Sequence, residues 1–426
     1  MPNNLLTPIV NDRTRSVNFF NGRLLTGEDL TAEQQANRVA HTLLGQAIGS
    51  GVAYGLEVEE SAALSQVAAP VLSIKRGLAI NPNGGALLLD NDTDISLVRP
   101  TALTSGTPSI FAECLPMQSG VYITGAGVYL LTIGPASATQ GLAEVSGVNT
   151  GVAPCNSKYK VDGVQFRLVQ LDLTQTELGD VNHLRNLVAY KCFGPADWSA
   201  NVTDPFGTPP SGHGLIDKLR TAKTITGCEV PLAVLYWTTA DGIVFVDMWA
   251  VRRKLTRYSS NDEFSALLAD QAQSVGQAML LQFQDQLAGI RNQNLSPQTV
   301  RASDFFYFLP PLGFLPLAGS SAGAGFNYQQ FFSQQTTHSP VFVADSRVQW
   351  MLNAFGAFQP IDLSSKELIW LYLVPTNAKI SNQTGAVLPY ALFAAGNVPY
   401  QGDSRFNLSH WNFSNYSLTA GDPVAL

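Results

Sequence analysis

The first regular pattern of apolar and polar positions along the chain is helical. Leu30, Ala36, Val39, Ala40, Leu43, Leu44 and Ala47 recur at helical spacing, while Glu33, Gln34, Asn37 and Arg38 fall mainly on the other side. Thr26 precedes Gly27-Glu28-Asp29, which supplies an N-cap and places carboxylates beside the unpaired amides of a first turn. The pattern predicts a helix from Thr26 to about Gln46, ended by Gly45, Gly49 and Gly51.

From Val52 to about Arg257 the period changes to that of strands. Val71 to Ile74, Leu78 to Ile80 and Ala86 to Leu89 are short runs, the last two separated by an Asn83-Gly84 turn signal. Glycines 125 and 127 separate Val121 to Ile123 from Val128 to Ile133, and Val230 to Trp237 faces Ile243 to Met248 across Asp241-Gly242. Val164, Phe166 and Leu168 alternate with polar residues, then Val169, Leu171 and Leu173 continue on the opposite phase, which predicts a β-bulge near Leu168. A helix around Leu178 to Tyr190 interrupts an antiparallel meander of sandwich or barrel-like form.

A second long amphipathic pattern starts at Ser260, where Glu263 completes a capping box, and runs to about Asn292. Its stripe is Phe264, Leu268, Val275, Met279, Phe283, Leu287 and Ile290, and its other face is rich in Gln. Some 50 Å of helix at roughly 1.5 Å per residue suits either a spacer that packs against a partner or a brace across its own domain. Beyond Ser296 the texture becomes aromatic and proline-rich, with strands at Leu368 to Val374 and Tyr390 to Ala394 and a closing segment Arg405 to Trp411. The expected class is α+β, predominantly antiparallel β with two long amphipathic helices. It is multidomain: an arm and helix (1–50), a β-rich body (51–257), a long helix (258–295) and a C-terminal α+β domain (296–426).

Composition narrows the function. Only 13% of residues are charged against 45% hydrophobic, so the surface is largely neutral and polar. Neutral amides and hydroxyls are cheaper to bury at an interface than ammonium or carboxylate groups, which suits a chain packed into an assembly. The net charge is −7 and Arg252-Arg253-Lys254 is the only basic triplet, so nucleic acid is not an expected partner. The start Met1-Pro2-Asn3-Asn4 has no signal-peptide pattern, and cytoplasmic synthesis is expected. Phe305 to Phe326 is uncharged, but its prolines and glycines argue against a membrane span. Cys114, Cys155, Cys192 and Cys228 lack zinc spacing and are expected as buried free thiols.

Candidate chemistry is sparse. Asp90-Asn91-Asp92-Thr93-Asp94 imitates a calcium loop, but Ile95 and Thr101 stand where its Gly and Glu are needed, so a polar turn is expected. The five histidines have no metal or nucleophile spacing, and no catalytic, cofactor or metal residues are assigned. Carboxylate pairs of a hydrolase could still meet only in the fold. The aromatic runs Phe305 to Phe308 and Trp411 to Tyr416 suit core packing first and sugar stacking second. Phe19, Phe20, Arg23 and Leu24 suit either an anchor in a partner or a staple of the first helix onto its own sheet, the staple being the expected one.

The stretch Phe19-Phe20-Asn21-Gly22-Arg23-Leu24-Leu25-Thr26-Gly27-Glu28-Asp29-Leu30, its helix, and the exit Gly51-Val52-Ala53-Tyr54-Gly55-Leu56-Glu57-Val58 resemble a bacterial family encoded with phage-tail-like contractile injection systems. Gly77-Leu78-Ala79-Ile80, Val230 to Val234 before Asp247 and Arg252-Arg253, Leu309-Pro310-Pro311 with Phe314-Leu315-Pro316, and Asp403, Arg405 and Trp411 extend the resemblance. The family's Arg- and His-rich helix exit is replaced here by the neutral Leu43 to Gly49. The resemblance implies a non-enzymatic structural subunit at or around a baseplate, present in several symmetric copies, with baseplate, spike or sheath subunits as partners. It brings no cofactor. Peripheral contact with a membrane or cell surface is compatible with it. A receptor- or glycan-binding adhesin of such a particle is the second expectation and an envelope polysaccharide hydrolase the third. The candidate assembly contacts are Phe19, Phe20, Arg23, Leu24, Phe264, Leu268, Val275, Met279 and Phe283.

Overall fold

A computed structural model of the 426-residue chain describes residues 16–98, 123, 125–144, 155–195, 214–256, 270–292, 295–317, 325–343, 345–355, 358–374 and 390–396. It is a mixed α+β structure with mostly antiparallel sheets. Helix α1 (Gly27–Ile48) leads into β1 (Gly51–Gly55), β2 (Val58–Glu60), β3 (Val71–Ile74), β4 (Gly77–Ile80), β5 (Ala86–Leu89) and β6 (Thr93–Ser96). These make two small antiparallel sheets, β1-β4-β5 and β2-β3-β6. The main sheet follows, in the order β10-β9-β7-β8, from β7 (Gly127–Glu144), β8 (Cys155–Gln170), β9 (Val230–Thr238) and β10 (Gly242–Asp247). Between β8 and β9 come α2 (Gln175–Gly179), α3 (Val181–Phe193) and α4 (Gly214–Thr221).

The main sheet is buried on both faces. Val128, Leu130, Val169, Val234 and Tyr236 share a core with α3, while Tyr129, Leu131, Leu168, Leu235 and Trp237 share another with the small sheets. This two-sided burial corrects the bulge expected near Leu168. The β7–β8 register is unbroken from Tyr129↔Gln170 to Glu144↔Cys155. The apolar phase switches because Leu168 faces one core and Val169 the other, since alternate residues of a strand point to opposite faces. The irregularity lies instead in β9 opposite Leu131 and Thr132, beside Pro231, which has no N–H to give the ladder. The body expected as sandwich- or barrel-like thus has sheet packed on sheet on one face of the main sheet, with helices covering the other.

The long helix α5 (Asp270–Asn292) passes from one core to the next. Ala272, Val275, Ala278 and Met279 lie in the core beneath the main sheet, and Phe283, Leu287 and Ile290 lie in the C-terminal core. That core is closed by β11 (Phe308–Leu309), β12 (Leu312–Pro316), α6 (Tyr328–Phe331), β13 (Val341–Phe342), α7 (Asp345–Phe355), β14 (Ile361–Asp362), β15 (Ile369–Val374) and β16 (Tyr390–Ala395). Its sheet has the order β12-β16-β15-β13, with β13 parallel to β15. The Ser260 cap and the closing segment Arg405 to Trp411 lie outside the described residues. No helix among the described residues is long and apolar enough to cross a membrane.

Part of the Gln-rich side of α5 is also buried: Gln282 and Gln286 lie inside, while Gln273 and Gln277 stay exposed. Gln282 Nε2 donates to Asp247 Oδ2 at 3.0 Å and to Gln286 Oε1 at 2.9 Å, and Gln286 Nε2 donates to the Phe305 carbonyl at 3.2 Å. Arg185 Nε donates to the same Asp247 Oδ2 at 2.8 Å, so a buried carboxylate is neutralised where α3, β10 and α5 meet. From α3, Asn186 receives the Tyr307 and Phe308 amides and donates to the Phe308 carbonyl at 2.9 Å, which stitches the C-terminal unit onto the body. Of the cysteines, Cys228 is disulfide-bonded, which corrects the expectation of four free thiols. Cys192 is free, and burial pushes its thiol up to about 12.

Phe283 touches both Phe306 and Phe393 at centroid distances of 5.2 and 5.3 Å. Truncating Phe283→Ala is expected to lower unfolding free energy by about 3–5 kcal/mol. Urea titration followed by circular dichroism measures it.

Candidate functional site

Helix α1 is the element that the fold leaves uncovered. Its start is fixed as expected: Thr26 Oγ1 accepts the Asp29 amide at 3.2 Å and Asp29 Oδ2 accepts the Thr26 amide at 3.0 Å, a reciprocal capping box. Gly45 does not end the helix. It is the one buried residue of α1, and a Cβ there would stand 2.1 Å from the Gly84 carbonyl oxygen of the β4–β5 turn. The absence of a side chain at both glycines lets the helix backbone rest on the turn backbone. The helix stops at Gly49, whose φ of 110° lies in the region that favours glycine.

The other attachments of α1 are polar. Gln46 Nε2 donates to the Asn83 carbonyl at 3.1 Å, and Arg38 pairs with Asp162 of β8 at 3.2 Å. Meanwhile Leu30, Leu43, Leu44 and Ile48 are each more than half exposed. The helix therefore turns polar groups towards its own chain and much of its apolar stripe towards water. That is the reverse of an ordinary surface helix, whose apolar stripe faces the core.

The arm before α1 continues this surface. Phe19 is 54% exposed, Phe20 63% and Leu24 89%, so these residues do not staple the helix to its own sheet. The arm is held by polar contacts: the Val17 amide donates to Glu33 Oε2 at 3.2 Å, Arg23 donates to the Asn18 carbonyl at 2.9 Å, and Arg23 pairs with Asp29. Hydrogen bonds from the Thr26 amide and hydroxyl, reinforced by Arg23, hold the Asp29 carboxyl below its ordinary value. Eight of the nineteen exposed large apolar residues among those described fall between positions 19 and 48. Such a concentration differs from the scattered single apolar residues that are ordinary on a protein surface. On the protruding β7–β8 ribbon Tyr159 and Val161 are exposed too, a feature no sequence pattern singled out.

The other candidate contacts sit differently. Val275, Met279 and Phe283 are buried within the chain, and Phe264 and Leu268 lie outside the described residues. The glycine motifs that carried the resemblance form a packing junction. Gly55 pairs with Gly77, where a Cβ on either would collide with the opposing strand's backbone. Buried Leu56 adopts a φ of 58°, and the Arg252 guanidinium donates to both the Gly55 and Leu56 carbonyls, at 2.5 and 2.9 Å. These residues shape backbone and hold no reactive group.

Asp92 accepts the Arg76 amide at 2.8 Å and pairs with Lys75 at 3.1 Å, so the calcium-like run is the polar turn expected. Among the described residues no group of three or more His, Cys, Asp and Glu side chains is placed to hold a metal ion. Phe306 is buried and Tyr307 stacks on His183 at 4.3 Å, so these aromatics are occupied by packing. Trp411 to Tyr416 lie outside the described residues. Neither protein-family models nor curated proteins give a match to this chain.

Two outcomes are expected. Gly45→Ala gains roughly 1 kcal/mol of helix propensity, yet its methyl must displace backbone, so limited proteolysis should cut α1 free faster than in the wild type. Because the folded Asp29 value is lowered, its stabilisation is complete above the ordinary aspartate range near roughly 3.9 and is lost as pH falls through the lower folded value. Protection factors of the Thr26 to Leu30 amides, taken against the intrinsic exchange rate at each pH, should fall on acidification, and Asp29→Asn should show that fraying already at neutral pH.

Proposed function

We propose that the chain is a non-catalytic structural subunit at or around the baseplate of a phage-tail-like contractile injection system, attached through α1 and the arm that precedes it. The observation that supports this reading is the outward-facing apolar stripe of α1, with Phe19, Phe20 and Leu24 continuing it. A helix of 22 residues is about 33 Å long at roughly 1.5 Å per residue, enough to span one side of a standard interface of about 800 Å² per partner. The polar fixings at Arg38, Gln46 and Arg23 hold the stripe in place without drawing it into the core. Aromatic anchors beside an arginine are the residue types that dominate interface energetics. The N-terminal motif supplies the kind of assembly, and the low charge of the chain makes its surface inexpensive to bury.

The test is affinity purification of the tagged full chain from its native cell at low salt, with mass spectrometry of the eluate. Sheath, tube or baseplate subunits are expected with the wild type and lost with Leu24→Glu/Leu44→Glu. Each change should alter folding stability by no more than about 0.5 kcal/mol, because both side chains are exposed. Elution of the wild type alone, or unchanged partners with the double variant, would overturn the reading.

A further inference from the structure

A partly open cavity of mixed polar and apolar lining lies beneath the main sheet's helical face. Its volume is about 100 Å³, and Cys192, Asp217, Arg220, Arg253, Thr256 and Ser274 contribute its polar lining. Two of these residues carry a buried side-chain atom without any hydrogen-bond partner, Arg220 Nε and Ser274 Oγ. A buried donor left unpaired costs on the order of 1–3 kcal/mol, more for a charged group, so two of them in the wall of one space point to a ligand.

The charge around that space is unbalanced. Arg253 gives its hydrogen bonds to three backbone carbonyls, those of Trp249, Ala250 and Arg252, and lies over the Phe193 ring at 5.0 Å. It forms no ion pair among the described residues. Arg220 approaches Asp217 at 3.5 Å, so one carboxylate stands against two guanidinium groups. The Cys192 thiol, pushed up by burial, is neutral and adds no anion. Water could pair the orphaned atoms, whereas an anion would also complement the second guanidinium among the described lining residues.

We propose that this cavity binds a small inorganic oxyanion of the phosphate or sulfate type. Arg220 Nε and Ser274 Oγ donate to its oxygens, and Arg253 supplies the balancing charge. A tetrahedral oxyanion occupies several water volumes, and the cavity offers room for that at roughly 10–15 Å³ per water centre. Guanidinium groups suit oxyanions because their donors match the spacing of the oxygens. The bound anion ties α3, α4 and α5 to the start of β9, since all four line the cavity.

Isothermal titration calorimetry on the full chain in low-salt zwitterionic buffer tests this, with sodium phosphate, sodium sulfate and sodium chloride as titrants. Saturable single-site binding of phosphate or sulfate is expected, weakened about tenfold or more in Arg220→Gln through loss of a charge-assisted hydrogen bond. Ser274→Ala removes the orphaned hydroxyl and adds no bulk. It is expected to weaken binding while leaving the midpoint of thermal unfolding in anion-free buffer unchanged or raised. No saturable heat with the wild type, binding of chloride alone, or unaltered oxyanion binding in Ser274→Ala would overturn the proposal.

Discussion

The body and the C-terminal unit are held together by one helix that must satisfy two cores at once. Ala272 to Met279 of α5 complete the core beneath the main sheet, and Phe283 to Ile290 complete the next. Where such a helix passes from one core to the next, the polar side chains it turns inward need partners inside the protein. Gln282 and Gln286 find them in Asp247, in each other and in the Phe305 carbonyl. Asp247 in turn requires Arg185, since a carboxylate 1% exposed is costly without a cation. The relative placement of α3, β10, α5 and the segment around Phe305 follows from keeping that network complete. Removing one member leaves a buried polar group unpaired, which costs more than the bond itself contributes.

This arrangement explains which parts of the fold the sequence made legible. Local signals survived: the Thr26 cap, the Asn83-Gly84 and Asp241-Gly242 turns, and the strands at Ile369–Val374 and Tyr390–Ala395 depend on neighbours in the chain. Signals that depend on distant neighbours misled. The phase change at Leu168 is indistinguishable from a bulge until the second core is known. Gly45 reads as a helix breaker until Gly84 is seen to press against it. Gln282 and Gln286 read as solvent-facing because periodicity cannot show that protein lies on both sides of a helix. Helices Gly214–Thr221 and Asp345–Phe355 drew no attention, the first lying among turn-rich sequence and the second within the aromatic, proline-rich region.

The candidate surface was half legible for the same reason. Aromatic and basic residues at positions 19 to 24 stood out by type, but type fitted both an anchor and a staple, and the staple was the one expected. Exposure separates the two, because a staple would bury Phe19 and Phe20, and the chain holds the arm through Arg23, Glu33 and Asp29 instead. Val275, Met279 and Phe283 were grouped with them on helical spacing, yet their stripe is spent on the chain's own cores. The two long helices thus have opposite fates: α5 spends its apolar stripe on two cores, and α1 is left with Leu43 and Leu44 in water. Leaving such side chains exposed forgoes on the order of 1.5–3 kcal/mol each, a cost that assembly would recover.

The most direct measurement is maleimide labelling of a cysteine placed at Leu44, in the isolated chain and in purified particles that contain it. Scored against the same chain without the added cysteine, the new labelling reports on α1. Fast labelling of the free chain and strong protection in the particle are predicted. Equal labelling in both states would show that the apolar face of α1 stays in water after assembly, and would contradict its role as the attachment surface.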